Sequence, residues 1–157
     1  MKSLRRRTDR RISVLRGVDL LSDCTTSELQ RIASSSTEAT ATAGQVLARE
    51  GEPGSEFFII VEGTACASRN GAEIATLSPP SFFGELALLD GGDRTATVAA
   101  TTDLHLLVLS RQEFNGLCAA YPSVTRKLLK ELACRLRRAD ELVAAAGGGD
   151  FPVTRSA

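Results

Sequence analysis

Tryptophan is absent from this 157-residue chain, and histidine, tyrosine and methionine occur once each. A metal enzyme of the cupin-like kind needs a cluster of histidine ligands, and His105 has no second histidine to join it. Cysteine occurs four times, at positions 24, 66, 118 and 134, and no pair has CxxC spacing. Zinc and iron–sulfur clusters are therefore not expected, and scattered thiols of this kind are typical of a reducing compartment.

Long apolar runs and an excess of one charge are also missing. No stretch approaches the roughly 20 apolar residues that a membrane-spanning helix needs. The chain has 19 basic and 19 acidic residues, so no overall field favours nucleic acid or an anionic membrane as a partner. We interpret the arginine-rich clusters at 5–7 and 135–138 as solvated faces. These observations predict a cytoplasmic protein without direct nucleic-acid or membrane contacts.

Short strands separated by turn residues occupy the middle of the chain, from about 37 to 110. The strongest is EFFIIVE at 56–62, and Asn70-Gly71 is a favoured dipeptide for a two-residue hairpin turn. The other candidate strands lie at 40–43, 45–49, 64–68, 73–77, 95–101 and 104–109. Strands this short and evenly spaced indicate a sandwich or barrel of the jelly-roll kind.

Helical patterns flank this β region on both sides. Thr25 and Ser110 each have a glutamate three residues later, the spacing of a capping box at a helix start. A final helix from about 123 to 146 carries an apolar stripe, formed by Leu128, Leu132, Leu136, Ala139 and Val143. We therefore expect a basic N-terminal arm at 1–14, one domain at 15–146 with its C-terminal helices at about 111–146, and a flexible tail at 147–157.

Residues 82–98, FFGELALLDGGDRTATV, combine features that suit a small anion carrying hydroxyl groups. Gly84 allows close backbone approach to a ligand, and the amides of the helical turn begun by Glu85 lack partners inside that turn. Arg94 offers a planar fork to a phosphate. Thr95 and Thr97 would alternate on a strand, with both hydroxyls on one side. The simpler interpretation is that Glu85 and Arg94 form only an ion pair that closes a loop.

This stretch closely resembles the phosphate-binding cassette of cyclic nucleotide-binding domains, the family of protein kinase A regulatory subunits, the cAMP receptor protein and cyclic nucleotide-gated channels. EGEPGSEFFIIVEG is similar to the strands before that cassette, and the pattern T-D-x-x-L-L-x-L-x-R-x-x-F to its exit into the C-terminal helices. The resemblance covers about residues 15–138. It implies a mainly β fold, a double-stranded β-helix or jelly roll, with helices at both ends.

The resemblance also implies a role for each site residue. Glu85 would accept a hydrogen bond from the ribose 2′-hydroxyl, and Arg94 would pair with the cyclic phosphate. Thr95 would lie near the phosphate and the purine edge. Amides of Gly84, Leu86, Ala87 and Ala96 would complete the phosphate cage, and Ile74 and Leu77 would lie against the base. Such a site offers no positioned base and water, so the implied protein is not an enzyme, and no metal is needed.

The implied function is a sensor that binds cAMP, or cGMP, and moves its C-terminal helices. Thr95 occurs in family members that accept cGMP, and Pro79-Pro80 replaces the usual glycine before the two aromatics. Alternatives are a cGMP-preferring module, a degenerate module that binds no nucleotide, or a fragment of a larger regulated protein. A DNA-binding transcription factor is not expected unless the chain is a fragment, because it needs a helix-turn-helix after the long helix and only about ten residues follow Ala146. The effector protein is unknown, and the final helix is a candidate for a homodimer seam.

Overall fold

The computed structural model describes residues 2–147, which form two four-stranded antiparallel sheets with helices at both chain ends. One sheet has the strand order β1-β8-β3-β6 and the other β2-β7-β4-β5. The strands are β1 (Thr37–Ala41), β2 (Val46–Ala48), β3 (Glu56–Glu62), β4 (Ala65–Arg69), β5 (Ala72–Leu77), β6 (Phe82–Phe83), β7 (Thr97–Ala100) and β8 (Leu104–Ser110). The predicted jelly roll with flanking helices is confirmed.

Within residues 2–147, five helices flank these sheets, and two of them start at the capping signals in the sequence. Thr25 and Ser110 each accept a hydrogen bond from the amide three residues on, and the glutamate at that position accepts one from the cap amide. The helices are α1 (Lys2–Gly17), α2 (Thr26–Ser35), α3 (Glu85–Asp90), α4 (Arg111–Ala120) and α5 (Pro122–Ala145), with a 3₁₀ turn at Asp19–Leu21.

Strand β3 divides the hydrophobic core into two parts. Phe57, Ile59 and Val61 face the helices, whereas Phe58 and Ile60 face the space between the sheets. This is why the sequence of β3 is a continuous apolar run: side chains alternate along a strand, and here both faces are buried. The helical half of the core fixes α4 and the start of α5 beside the sheet that carries β6.

The described part of the basic arm expected at 1–14 forms a helix. It is helical through the proposed boundary, because α1 continues to Gly17 and buries Ile12 and Leu15 in the helical core. The helix is also held by charge, since Arg10 pairs with Glu62 and Arg11 with Glu38. The tail proposed at 147–157 lies, apart from Gly147, outside the described residues.

The apolar residues of α5 pack on the domain only in the first half of the helix. Val124 and Leu128 are buried and Leu132 is half-buried, but Leu136 is 63% exposed. The apolar stripe predicted along this helix therefore serves the core at one end and faces solvent at the other.

Strand boundaries moved where the sequence offered no turn residue to mark them. The predicted strand at 95–101 is shortened to β7, because residues 95–96 form a bend, and the two-residue strand β6 was missed. The strand at 40–43 begins earlier, as β1. The hairpin at Asn70-Gly71 is confirmed: both residues have positive φ, 51° and 77°, as its turn type requires.

Candidate functional site

A cavity of about 480 Å³ lies between the second sheet, α3 and the middle of α5. This is within the size range of small-molecule sites in proteins. All nine residues singled out in the sequence line it, namely Ile74, Leu77, Gly84, Glu85, Leu86, Ala87, Arg94, Thr95 and Ala96. The structure thus brings together residues from β5, α3 and the loop before β7, and their individual roles remain predictions.

Arg94 is 8% exposed, and backbone carbonyls hold its guanidinium in place. Its Nη1 donates to the carbonyl oxygen of Gly84 at 3.0 Å and its Nη2 to that of Glu56 at 2.8 Å. The cation also lies over the Phe58 ring, 5.8 Å from its centroid. Burial lowers the pKa of Arg94, and the charges of Glu56 and Glu85 oppose that shift. An arginine in this position presents a fixed positive charge at the cavity wall.

Two glycines leave the space that this guanidinium occupies. A Cβ on Gly54 would lie 2.3 Å from Nε of Arg94, and one on Gly84 would lie 2.6 Å from Nη1. Gly84 also has φ 97° at the start of α3, where a side chain would strain the backbone. The glycine before the carboxylate was expected to admit a ligand, and the structure shows that it admits Arg94.

The same loop is joined to the start of α4. Nη2 of Arg111 donates to the carbonyl oxygen of Gly54 at 2.8 Å, so this first residue of α4 contacts the loop that packs on Arg94. Gly54 therefore connects the Arg94 side chain to the beginning of the C-terminal helices.

Glu85 is 3% exposed and pairs with Arg135 of α5, with 2.5 Å between Oε1 and Nη1. Arg135 also contacts Glu131 one turn earlier on the same helix, 3.1 Å away. Burial alone would lower the pKa of Arg135, but the charge of Glu85 and hydrogen bonds to both glutamates outweigh it and raise that pKa. The simpler interpretation, a Glu85–Arg94 pair that closes a loop, is wrong, because each residue has other partners.

The two threonines after Arg94 do not point the same way. Thr95 lines the cavity in the bend before β7, and its carbonyl oxygen accepts a hydrogen bond from Nε of Arg69 at 2.8 Å. The hydroxyl of Thr97 instead accepts from the amide of Glu50 at 3.0 Å. The strand alternation predicted for this pair is wrong, since Thr95 precedes the strand.

Sequence reasoning missed several cavity residues, of which Arg135 is the most important. It was assigned to a solvated face, because nothing near it in the sequence indicates that α5 crosses the cavity mouth. Arg69 was also missed. A usable signal was the row of small residues on the surrounding strands and α3, where alanine leaves room that leucine would fill; these are Ala48, Ala67, Ala75, Ala87 and Ala96.

Comparison with known proteins places this geometry in a family. The model for the cyclic nucleotide-binding domain matches residues 38–121. A cyclic nucleotide-gated potassium channel of Mesorhizobium japonicum is 44% identical over 86 residues, 54% of this chain and 23% of the channel. A cGMP-dependent protein kinase of Caenorhabditis briggsae is 44% identical over 77 residues, 49% of this chain and 10% of the kinase.

Among solved structures, the regulatory domain of Toxoplasma gondii PKA, crystallised with cAMP, superposes with a TM-score of 0.74 at 28% identity. The match covers 84% of this chain and 52% of that domain. The chain belongs to the cyclic nucleotide-binding domain family, as its cassette predicted. It is a regulatory module of that kind, and it spans less than a quarter of the two curated relatives above.

Within residues 2–147, no three His, Cys, Asp or Glu side chains are grouped as metal ligands would be. None of the helices in that same range is long and apolar enough to cross a membrane.

Proposed function

We propose that this chain is a cAMP sensor that couples nucleotide binding to a movement of its C-terminal helices. The observation that carries the proposal is that two buried charged residues line the same cavity, Arg94 for a phosphate and Glu85 for a hydroxyl. Buried charges need compensation, and a cyclic nucleotide offers an anion and a hydroxyl donor in a single small molecule. No catalytic step is proposed.

Each part of the ligand has a counterpart in the cavity. Arg94 and the amides of Gly84, Leu86, Ala87 and Ala96 would hold the cyclic phosphate, because a cation and unpaired helix-start amides both favour an anion. Glu85 would hold the ribose. Ile74, which is 51% exposed, and Leu77 offer apolar surface to the base.

The proposed coupling runs through two contacts of the C-terminal helices, one at the start of α4 and one in the middle of α5. Arg111 at the start of α4 contacts the Gly54 loop beside Arg94, and Arg135 of α5 contacts Glu85. A phosphate bound to Arg94 would affect the contact at Arg111, and a ribose bound to Glu85 would affect the contact at Arg135. A hinge before Phe114 would then let α5 move toward the base. The shift in helix position is limited by the difference in ligand affinity between the two positions.

A side-by-side titration of the chain with cAMP and cGMP tests the proposal. We expect both to bind, cAMP more tightly, and Glu85→Gln to weaken both by about tenfold, since a hydrogen bond to a charged group contributes about 1.5–3 kcal/mol. Calorimetry measures the dissociation constants. In the Glu85→Gln variant, 2′-deoxy-cAMP should bind nearly as tightly as cAMP, because the variant has already lost the charged acceptor for the 2′-hydroxyl. Failure of the wild-type chain to bind either nucleotide would instead favour the degenerate module.

A preference for cGMP is the second candidate, and one observation favours it. Thr95 lines the cavity, so its hydroxyl is available to the edge of a purine, and guanine offers an exocyclic amine there. In that case the same titration would rank cGMP first, and Thr95→Ala would reduce cGMP affinity more than cAMP affinity.

We also propose a homodimer through α5, supported by its exposed apolar residues. Leu129, Leu136 and Val143 recur every seven residues and are 62%, 63% and 37% exposed. With Leu132 and Ala139 between them, they form a heptad seam about two heptads long.

We further propose a cytoplasmic location. All four cysteines are unpaired, which is typical of a reducing compartment. The sensor would act on an effector protein whose identity is unknown.

Light scattering over a range of concentrations tests the dimer. We expect the wild-type mass to approach twice the monomer mass, and Leu136→Glu to raise the dissociation constant by about tenfold or more, since it buries a charge in the seam. Leu142→Glu is the matched control, because Leu142 is 73% exposed but occupies neither an a nor a d position of the seam. A wild-type chain that stays monomeric at every concentration contradicts the dimer.

A further inference from the structure

Helix α1 concentrates the positive charge of the molecule. Its 16 residues include seven Lys and Arg and a single Asp, a net charge of +6. The whole chain is neutral, so the remaining residues carry a net charge of −6. The neutrality of the sequence therefore conceals a strongly basic helix attached to an acidic domain, and such a patch can attract a charged partner.

The arginines of the C-terminal half of α1 hold the helix on its own domain. Arg10 pairs with Glu62, and Nε of Arg11 lies 3.2 Å from Oε1 of Glu38. Nη2 of Arg11 also donates to the carbonyl oxygen of Ala33 at 2.9 Å. With Ile12 and Leu15 in the core, these contacts mount the helix firmly.

The arginines in the N-terminal half of α1 are placed differently. Arg6 and Arg7 are exposed and form no ion pair within the described part of the chain. With Ser3 and Arg10 they follow the spacing i, i+3, i+4, i+7 and line a shallow depression on one helix face. We call these four residues the arginine face.

Repulsion between neighbouring arginines opposes the helix, and within the described residues only Arg10 of the arginine face has a carboxylate partner, Glu62. Like charges three or four residues apart, such as Arg6 and Arg10, destabilise a helix by about 0.2–0.5 kcal/mol per pair. No side chain described before Ile12 is buried, so core packing does not offset that repulsion. A negatively charged partner along the arginine face would remove the repulsion and supply the missing contacts.

We propose that the arginine face docks an acidic segment, rich in Asp and Glu, of a partner protein. The same helix already binds the carboxylates of Glu62 and Glu38, so a carboxylate partner extends chemistry that it displays. A membrane is disfavoured, because the apolar side chains of Ile12 and Leu15 are buried in the core and are not available to insert into lipid. A long nucleic acid would meet the acidic remainder of the domain within a Debye length.

Fluorescence anisotropy with a short labelled poly-glutamate peptide tests this docking surface on the full chain. We expect saturable binding at low salt that weakens as salt rises. The double variant Arg6→Ala/Arg7→Ala should weaken it by about fivefold to tenfold, the effect of two exposed charge pairs. Arg126→Ala/Lys130→Ala on α5 makes the same change of charge at exposed positions and should leave the peptide affinity near the wild-type value.

Three results would overturn the proposal. They are an unchanged affinity in the Arg6/Arg7 variant, an equal loss in the α5 control, and tighter binding of a short DNA duplex or of phosphatidylglycerol vesicles than of the peptide. Nucleotide titration of both variants separates this surface from the cavity. The constants for cAMP and cGMP should not change, because neither pair of substituted residues lines the cavity.

Discussion

Arg94→Ala is expected to weaken cAMP binding by about 100-fold or more while the domain stays folded. A bidentate, charge-assisted pair to a phosphate comprises two hydrogen bonds of about 1.5–3 kcal/mol each. The fold should survive, because both carbonyl oxygens that lose a donor belong to residues that line spaces open to water. Gly84 lines the main cavity, and Glu56 lines a smaller one that Arg94 also lines. Calorimetry measures the affinity, and circular dichroism with a thermal scan measures the fold.

Two further variants make this result specific. Arg94→Lys keeps the charge but loses the planar fork, so its affinity should fall between those of the wild type and the alanine variant. Arg126→Ala removes an exposed arginine of α5 and should change nothing. A folded Arg94→Ala protein that binds cAMP within about threefold of the wild type would contradict the assignment of Arg94 to the phosphate.

Gly54→Ala is expected to weaken cAMP binding by about tenfold or more, although Gly54 itself does not line the cavity. The new Cβ would lie 2.3 Å from Nε and 2.5 Å from Cζ of Arg94, so the guanidinium must move. Movement would break its bonds to the two carbonyls that aim it, and the loss of one charged hydrogen bond suffices for a tenfold effect. The measurement is the same calorimetric titration.

The glycine series also offers a matched control for this prediction. Gly116 lies inside α4, and a Cβ there would meet nothing within 4 Å. Gly116→Ala should therefore leave cAMP affinity unchanged and raise the free energy of unfolding by up to about 1 kcal/mol, the helix-propensity difference. If Gly54→Ala binds cAMP as tightly as Gly116→Ala does, the position of the Arg94 side chain does not control affinity.

Local signals in the sequence predicted much of the fold. Thr25 and Ser110 start their helices as their glutamates three residues on indicate, and Asn70-Gly71 turns as its dipeptide does. These interactions span only two to four residues, so the sequence contains both partners side by side. The cassette was predictable for a related reason, because one short stretch carries Gly84, Glu85 and Arg94.

Contacts between distant segments could not be predicted in the same way. Glu85 and Arg135 are 50 residues apart, and only the packing of α5 on the helical core brings them together. The need for glycine at position 54 could not be predicted for the same reason, since the Arg94 side chain that packs against it is 40 positions further along the chain. Spacing within a motif describes which groups are available, whereas tertiary packing decides which of them meet.

The ion pair between Glu85 and Arg135 has a thermodynamic consequence for any molecule that binds α5. If the ribose and Arg135 act on the same carboxylate, the position of α5 and the occupancy of the cavity are linked equilibria. Linkage is reciprocal: a partner or second copy that changes cAMP affinity by some factor must have its own affinity changed by cAMP by that same factor. The nucleotide affinity of the isolated chain is then one end of a range, and a partner that binds α5 shifts the affinity within that range.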